Sequence, residues 1–151
     1  MWQDLLTRIE KIEAGYGGKL QKPASMEEVE RLRQAAKARL NAELPEKYLG
    51  FLRTVNGLYF NGLVIYGVDA SFLLGKPDKV IHGFVETNEI WRQNPWQKQY
   101  LFFGDSDIGW YCLNLSTQRY EEQDKPSGTV MTVYDDFDSM LEEALKVRMP
   151  D

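Results

Sequence analysis

The sequence predicts an α+β domain in which helices come first, a mainly antiparallel sheet of five to six strands follows, and one helix closes the chain. Apolar residues recur at helical spacing up to residue 57, strand-like runs separated by turn signals follow, and helical spacing returns after residue 134. A length of 151 residues, 43% of them hydrophobic, is typical of one domain with its own core. We therefore expect a single domain spanning residues 1–151.

Three helices are expected in the first part of the chain. Ser25 and Glu28 have the spacing of a capping box, in which each side chain satisfies a backbone amide of the other residue. Asn56-Gly57 is a typical C-terminal stop signal. The apolar stripes place these helices over residues 2–14, 26–40 and 45–55.

Strands follow from residue 58 onward. Asn61-Gly62 between two apolar runs predicts a type I′ hairpin, because both turn positions need a positive φ. The polar stretch 116–127 is expected to be an exposed connection. Strands are predicted over residues 58–60, 63–66, 100–103, 108–115 and 130–134.

Residues 80–91 fit two interpretations. Val80 and Ile81 could open a strand, whereas Phe84 and Trp91 lie on one face of a helix, and we predict the helix. The closing helix has an apolar stripe from residue 137 to residue 145, and Asp135 or Asp136 is suited to cap it.

Charge is distributed unevenly along a chain whose net charge is −5. Residues 1–100 carry 14 basic and 12 acidic side chains, whereas residues 101–145 carry two basic and ten acidic ones. An acidic half disfavours nucleic acid as a partner, because phosphate contacts need lysine and arginine. It suits a basic protein partner, and it equally suits a solvated surface.

No apolar run is long enough for a membrane span, and no secretory signal begins the chain, so we expect a cytoplasmic protein.

Few side chains are suited to catalysis or to metal binding. The chain has one histidine, His82, and one cysteine, Cys112, so a zinc site cannot be assembled from the usual ligands. Cys112 lies in an apolar stretch and is predicted to be a buried thiol, and His82 is predicted to lie in a surface loop. We expect no enzyme activity, no metal and no cofactor.

Asp105 and Asp107 are the best carboxylate pair, and they follow directly after a predicted strand. One interpretation is a β-turn in which the two side chains cap backbone amides. The other is a functional pair in a metal-dependent small hydrolase or a small-ligand-binding protein. Gly109 comes one position too early for a calcium loop.

Aromatic residues are concentrated in the middle third of the chain. Most should be core, but four tryptophans exceed what packing usually requires. Strict alternation over residues 108–115 places Trp110 on one face of its strand and Tyr111 on the other, and one of those faces could be wet and hold interface anchors. Our candidate anchors are Tyr66, Trp91 and Trp110.

Several ordered motifs resemble the SUKH superfamily, the Smi/Knr-like domain known from fungal cell-wall regulators and bacterial immunity proteins. They are Leu44-Pro45-x-x-Tyr48-x-x-Phe51-Leu52-x-x-x-Asn56-Gly57, Ile65-Tyr66-Gly67, Glu89-Ile90-Trp91-Arg92, Leu101-Phe102-Phe103-Gly104-Asp105 and Tyr134-Asp135-Asp136-Phe137-Asp138-Ser139-Met140-Leu141. The resemblance implies a curved sheet, flanked by helices, with a concave groove for partners. It starts near Ser25, which leaves residues 1–22 as an N-terminal helical extension.

The resemblance also implies a function. Bacterial members look like immunity proteins that bind and silence toxins, many of them nucleases, and no catalytic residue carries over. We therefore expect a non-catalytic module that binds a basic toxin domain, with a regulatory scaffold subunit as a further alternative. The expected contact residues are Asp105, Asp107, Asp135, Asp136, Asp138, Tyr66, Trp91 and Trp110.

Overall fold

A computed structural model describes residues 1–77, 79–80 and 82–150, and the expected α+β class is confirmed over them. The described helices are α1 (Trp2–Gly15), α2 (Met26–Leu40), α3 (Glu46–Leu52), α4 (Phe84–Trp91) and α5 (Phe137–Lys146), with short 3₁₀ helices at Ala70–Phe72 and Pro95–Gln99. The described strands are β1 (Leu58–Phe60), β2 (Leu63–Ile65), β3 (Tyr100–Asp105), β4 (Gly109–Asn114), β5 (Arg119–Asp124) and β6 (Val130–Tyr134). They form one open antiparallel sheet in chain order.

Local signals set the ends of the helices. The capping box of α2 is confirmed, since Ser25 Oγ accepts from the amide of Glu28 at 3.1 Å and Glu28 Oε1 accepts from the amide of Ser25 at 2.8 Å. Asn41 ends this helix in the left-handed conformation, with φ 53°. Asp136 caps α5 by accepting from the amide of Ser139 at 2.8 Å. Short polar side chains at these positions therefore fix where the helices begin and end.

The first hairpin has the predicted turn. Asn61 and Gly62 have φ values of 49° and 84°, which is the type I′ requirement. Strands β2 and β3 then pair over two positions only, Val64 with Asp105 and Ile65 with Gly104. Beyond this short contact the edge of β3 is free to meet α4.

Helix α4 lies along that edge of β3, and the helix prediction for this segment is confirmed. Ile81, on which the strand alternative depended, lies outside the described residues. The buried side chain of Asn88 accepts from the amide of Phe102 at 2.7 Å and donates to the carbonyl of the same residue at 2.8 Å. The side chain of Asn88 thus satisfies the two backbone groups of Phe102 that a neighbouring strand would otherwise satisfy. The N-terminus of α4 is held by Asp69, whose carboxylate accepts from the amides of Val85 at 3.0 Å and Glu86 at 2.9 Å.

The sheet has two different faces. On one, Phe103 packs its ring against Tyr48 of α3 at 4.9 Å and against Phe137 of α5 at 5.5 Å, and we call this the helix-covered face. The other, the outer face, carries Trp110 opposite Gln123 and continues from there to β6. Cross-strand partners point to the same face of the sheet, so the register shows on which of the two faces each paired side chain lies.

Two expectations about the strands are wrong. Neither face of β4 is wet, because Trp110 is 4% exposed and Tyr111 is 2% exposed, each under its own layer of packed residues. The stretch 116–127 is not simply an exposed connection, because it contains β5. The polarity of β5 conceals its burial: Glu121, itself buried, accepts from Asn114 Nδ2 at 3.0 Å and from Gln123 Nε2 at 2.9 Å. Polar side chains that satisfy one another can line a covered face.

The N-terminal segment packs on the helical layer. Helix α1 lies against α5, and the ring of Trp2 meets Phe51 edge-on at 5.6 Å. The indole Nε1 of Trp2 donates to Asp138 at 3.2 Å, which ties the start of the chain to its last helix. Residues 2–9 therefore contribute buried side chains to the main core.

Candidate partner-binding surface

Strand order brings distant residues together at one end of the sheet. Asp105 ends β3 and pairs with Trp110 of β4, which pairs in turn with Gln123 near the end of β5. Lys125 follows β5 directly, and Trp91 is the last residue of α4. With Tyr66, which follows β2, the residues Trp91, Asp105, Trp110 and Lys125 form a group that we call the Trp91–Trp110 cluster.

Hydrogen bonds connect the polar atoms of the cluster in a chain. The indole Nε1 of Trp91 donates to Tyr66 Oη at 2.9 Å, and Tyr66 Oη donates to Asp105 Oδ2. The other carboxylate oxygen, Asp105 Oδ1, accepts from Lys125 Nζ at 3.2 Å, and the carbonyl of Ser106 accepts from the same ammonium at 3.0 Å. Both oxygens of Asp105 are therefore occupied within the cluster.

Two tryptophan rings complete the surroundings of the ammonium group. Lys125 Nζ lies 5.1 Å from the ring centroid of Trp91 and 5.7 Å from that of Trp110. The two rings meet edge-on, with centroids 5.4 Å apart. These distances are within the range of cation–π attraction, which strengthens when the cation is partly withdrawn from water. The side chain of Lys125 is 22% exposed, so the interaction is largely shielded.

Burial controls the protonation of Tyr66. The pKa of its hydroxyl is raised well above the usual value, first because the group is desolvated and second because the negative charge of Asp105 disfavours a phenolate. The hydroxyl therefore stays neutral at physiological pH and remains a donor to the carboxylate. It holds Asp105 in one orientation toward Lys125.

An exposed apolar strip adjoins the cluster on the outer face. Val130 of β6 is opposite Gln123, and Val133 is opposite Glu121, so both belong to the outer face. Their side chains are exposed, as are those of Met131 and Trp96. The strip of Trp96, Val130, Met131 and Val133 is therefore a continuation of the cluster toward the free edge of the sheet.

Trp96 joins the strip to the cluster. Its ring packs edge-on against Trp110 at 5.8 Å, yet 41% of the residue is exposed. It lies directly over Gly128, where a Cβ atom would come within 2.6 Å of the indole. Gly128 also has φ +78°, so the turn after β5 needs glycine for both reasons. The absence of a side chain at Gly128 thus lets the indole of Trp96 pack directly against the backbone of the turn.

Residues next to this strip contain buried polar atoms without hydrogen-bond partners. Among the described residues, Trp110 Nε1, Gln123 Oε1 and Gln97 Nε2 are buried and make no hydrogen bond. Such groups cost free energy unless something else satisfies them. Cys112 lies in the same layer, opposite Glu121, and burial raises the pKa of its thiol. Its prediction as a buried thiol is confirmed.

The acidic residues at the start of α5 have structural partners. Asp136 pairs with Lys47 Nζ at 2.6 Å, and this bond, followed by the cap to Ser139, lowers the pKa of Asp136 to about 2. Asp138 accepts from Trp2, and Asp135 pairs with Arg119 at 3.0 Å while its side chain stays 88% exposed.

The five predicted aspartates do not form one patch. Asp105 and Asp107 lie at the end of the sheet where β3 meets β4, whereas Asp135 follows the opposite end of the neighbouring strands, because Tyr134 pairs with Tyr120. Asp107 is exposed in the β3–β4 turn. Within this turn the side chain that caps an amide is Ser106, whose Oγ accepts from Ile108 at 3.3 Å, so the expected capping by both aspartates is wrong for Asp105.

The predicted aromatic anchors do come together. Tyr66, Trp91 and Trp110 are all in the cluster, but Tyr66 and Trp110 are buried and Trp91 is partly buried. Their role as partner contacts stays a prediction. Sequence reasoning missed Lys125 and Trp96, because Lys125 lies in the stretch expected to be a loop and Trp96 follows Pro95 outside any periodic pattern. A correct assignment of β5 would have identified Lys125.

No group of three or more His, Cys, Asp or Glu side chains in the described ranges is arranged to hold a metal ion. His82 is exposed and stacks on Tyr59, with ring centroids 6.3 Å apart. Across residues 1–77, 79–80 and 82–150, no helix has both the length and the apolarity that a bilayer crossing requires.

The fold and the surface define a small α+β domain with an open six-stranded sheet, one face under helices and the other carrying an aromatic, hydrogen-bonded cluster. The chain belongs to the SMI1/KNR4 family (SUKH-1), whose sequence pattern matches residues 23–147. Members of this superfamily often act as protein-binding immunity modules. The comparison with curated proteins found no match.

Proposed function

We propose that this protein is a non-catalytic, immunity-type module that binds and neutralises a basic toxin domain, such as a nuclease, through the outer face of its sheet. The observation that carries the proposal is the exposed apolar strip of Trp96, Val130, Met131 and Val133 beside the Trp91–Trp110 cluster. Family membership supports the binding class and the immunity type.

The strip has the composition of an interface centre. Tryptophan is strongly enriched among residues that dominate binding energy, and apolar neighbours around it exclude water. Strand β6 pairs with β5 on one side only, so its other edge also presents backbone donors and acceptors. Three exposed apolar side chains without a charged residue between Val130 and Tyr134 give this edge no protection against pairing. A partner that covers the strip would prevent unwanted pairing of this edge with other strands.

Charge supports a basic partner. Residues 101–145, which include the outer-face strands, carry ten acidic and two basic side chains. Asp107 and Asp135 are exposed at opposite ends of this sheet region and can attract a cationic surface during encounter. Such steering raises the association rate and weakens as salt increases.

The hydrolase alternative receives less support. A catalytic or metal-binding pair needs free carboxylate oxygens, whereas those of Asp105 are engaged by Tyr66 and Lys125. Thermal unfolding in the presence of magnesium, calcium, manganese or zinc is the direct check. We expect no change, and stabilisation that disappears in Asp105→Asn plus Asp107→Asn would favour the alternative.

The experiment for binding is affinity capture from the source cell's lysate at low and moderate salt, with wild type and three variants. Trp96→Ala and Val133→Lys should both lose the captured protein. The first removes the largest apolar side chain of the strip, and the second places a positive charge within it. Tyr59→Ala is the matched control, since Tyr59 is an exposed aromatic residue on β1, at the far edge of the sheet. Equal capture by all four proteins would contradict the proposal, as would capture of a partner that is not basic.

A further inference from the structure

Lys125 occupies a site built to receive a cation. Its ammonium contacts one carboxylate, one carbonyl and the faces of two tryptophans, and these groups come from β3, the β3–β4 turn, α4 and β4. We infer that Lys125 is an internal occupant of this cage and that a lysine or arginine side chain of the protein partner displaces it on binding. The inference rests on the proposed function and specifies what the partner inserts.

The walls of the cage are held in place without Lys125. Trp91 donates to Tyr66, Tyr66 donates to Asp105, and the rings of Trp91 and Trp110 support each other edge-on. The backbone of Tyr66 is fixed independently, because its carbonyl accepts from Tyr48 Oη at 2.6 Å and its amide donates to Phe103 at 2.9 Å. Removing the ammonium therefore leaves a preorganised site rather than a collapsed one.

Lys125 itself is placed where its side chain can leave. It is the first residue of the turn after β5, and the turn is closed by backbone bonds from Gly128 to Asp124 at 2.7 Å and from Asp124 to Thr129 at 2.8 Å. None of these bonds uses the lysine side chain. The neighbouring residues Pro126 and Ser127 are exposed, so the displaced ammonium would enter water directly.

The exchange is close to balanced in energy. A partner's ammonium or guanidinium regains the contacts that Lys125 gives up, and arginine adds a planar face for the tryptophans. A tethered side chain competes with a free ligand at an effective concentration of about millimolar or higher. The wild-type protein should therefore bind small free cations only at high concentration, whereas a cation delivered by a larger docked partner can displace Lys125 without that excess.

The test uses n-butylammonium chloride as the probe and the indole N–H signals of Trp91 and Trp110 in NMR spectra as the readout. Lys125→Ala should bind the probe saturably, with a dissociation constant lower than that of wild type by about tenfold or more, because the internal competitor is gone. Lys125→Met is the matched control, because its similar side chain fills the cage without a charge. Asp105→Asn combined with Lys125→Ala should remove binding. Sodium chloride and n-butanol at the same concentrations control for salt and for apolar contact.

Several results would overturn the inference. One is equal affinity of wild type and Lys125→Ala for butylammonium, and another is an equal response to n-butanol. If Lys125→Ala does not fold, the wild type still decides: ring currents should shift the Lys125 side-chain protons upfield, and concentrated butylammonium should abolish that shift where sodium chloride does not. Persistence of the shift would contradict displacement.

The two proposals can fail separately. If Trp96→Ala loses the captured partner while Asp105→Asn retains it, the outer face binds the partner but the cage does not. If Lys125→Ala binds butylammonium and no protein is captured at either salt, the cage is a cation site and the proposed toxin binding is wrong.

Discussion

At the scale of single residues, side chains with several partners determine how this protein responds to pH and to substitution. Asp136 accepts from the amide of Ser139 and pairs with Lys47, so one carboxylate both caps α5 and ties α3 to it. These contacts favour the charged form, which is why the pKa falls to about 2. A depressed acid pKa contributes stability above the unfolded-state pKa of about 4, and the contribution is lost as pH falls toward 2.

Asp136→Asn should therefore lower the free energy of unfolding by about 1 kcal/mol at pH 7, and by almost nothing at pH 2. The effect is smaller than the pKa shift alone implies, because the side chain is 39% exposed and solvent screens the pair. Asparagine keeps the capping oxygen, so the difference reports the charge. Urea denaturation between pH 2 and pH 7 measures it, with Asp107→Asn as an exposed control. A difference that does not depend on pH would refute the electrostatic account.

At the scale of elements, one amide side chain supplies the hydrogen bonds between α4 and β3. Asn88 bonds both backbone groups of Phe102 and also donates to the carbonyl of Phe84 at 2.8 Å, all in a buried setting. Among the described residues, no strand pairs with this stretch of β3 on the α4 side, since the β2 partners in β3 are Asp105 and Gly104. The position of Trp91, at the end of the same helix, depends on this attachment.

Asn88→Ala should destabilise the protein by about 2–3 kcal/mol, because it leaves the buried amide and carbonyl of Phe102 without partners. Chemical denaturation is the measurement, and Ile90→Ala is the control, since Ile90 is exposed on the same helix. The indole signal of Trp91 should also shift in Asn88→Ala and not in Ile90→Ala. Equal stability of the two variants would show that the amide bonds do not hold α4 in place.

The same scale shows what local sequence can predict. The capping box at Ser25, the extent of the helix over residues 26–40 and the hairpin at Asn61-Gly62 depend mainly on nearby residues, and each was predicted correctly. Strand β5 was missed because its identity depends on pairing with Asn114 and on the burial of Glu121, which no local pattern encodes. Lys125 was missed with it, because its side chain reaches the two tryptophans only through that register.

At the scale of the whole molecule, two layers make two different surfaces. The helix-covered face uses large rings to close the core, as Phe103 does between Tyr48 and Phe137. The outer face is covered by residues 91–100 and by the turn after β5 rather than by long helices, and its far edge stays exposed. Under the proposed function, the residues that stabilise the core and those that bind the partner lie on opposite sides of one sheet, so substitutions in the strip should alter binding more than folding.

The family pattern begins at residue 23, yet the segment before it packs against the core. Trp2 is buried, meets Phe51 and donates to Asp138, and Leu6 and Ile9 are buried on the same helix. Without this helix, the apolar side of α5 that faces it would be open to water. We therefore expect residues 1–22 to be a structural part of the domain.

Trp2→Ala should lower the free energy of unfolding by about 3 kcal/mol, as is usual for a buried tryptophan, and the melting temperature by about 10 °C. A chain that begins at residue 23 should be destabilised further, because the contacts of Leu6 and Ile9 are lost as well. Tyr16→Ala is the control, since Tyr16 is highly exposed in the same segment. Thermal unfolding followed by circular dichroism compares the four proteins. If the shortened chain melts with the wild type, α1 is an accessory element and α5 is stable without it.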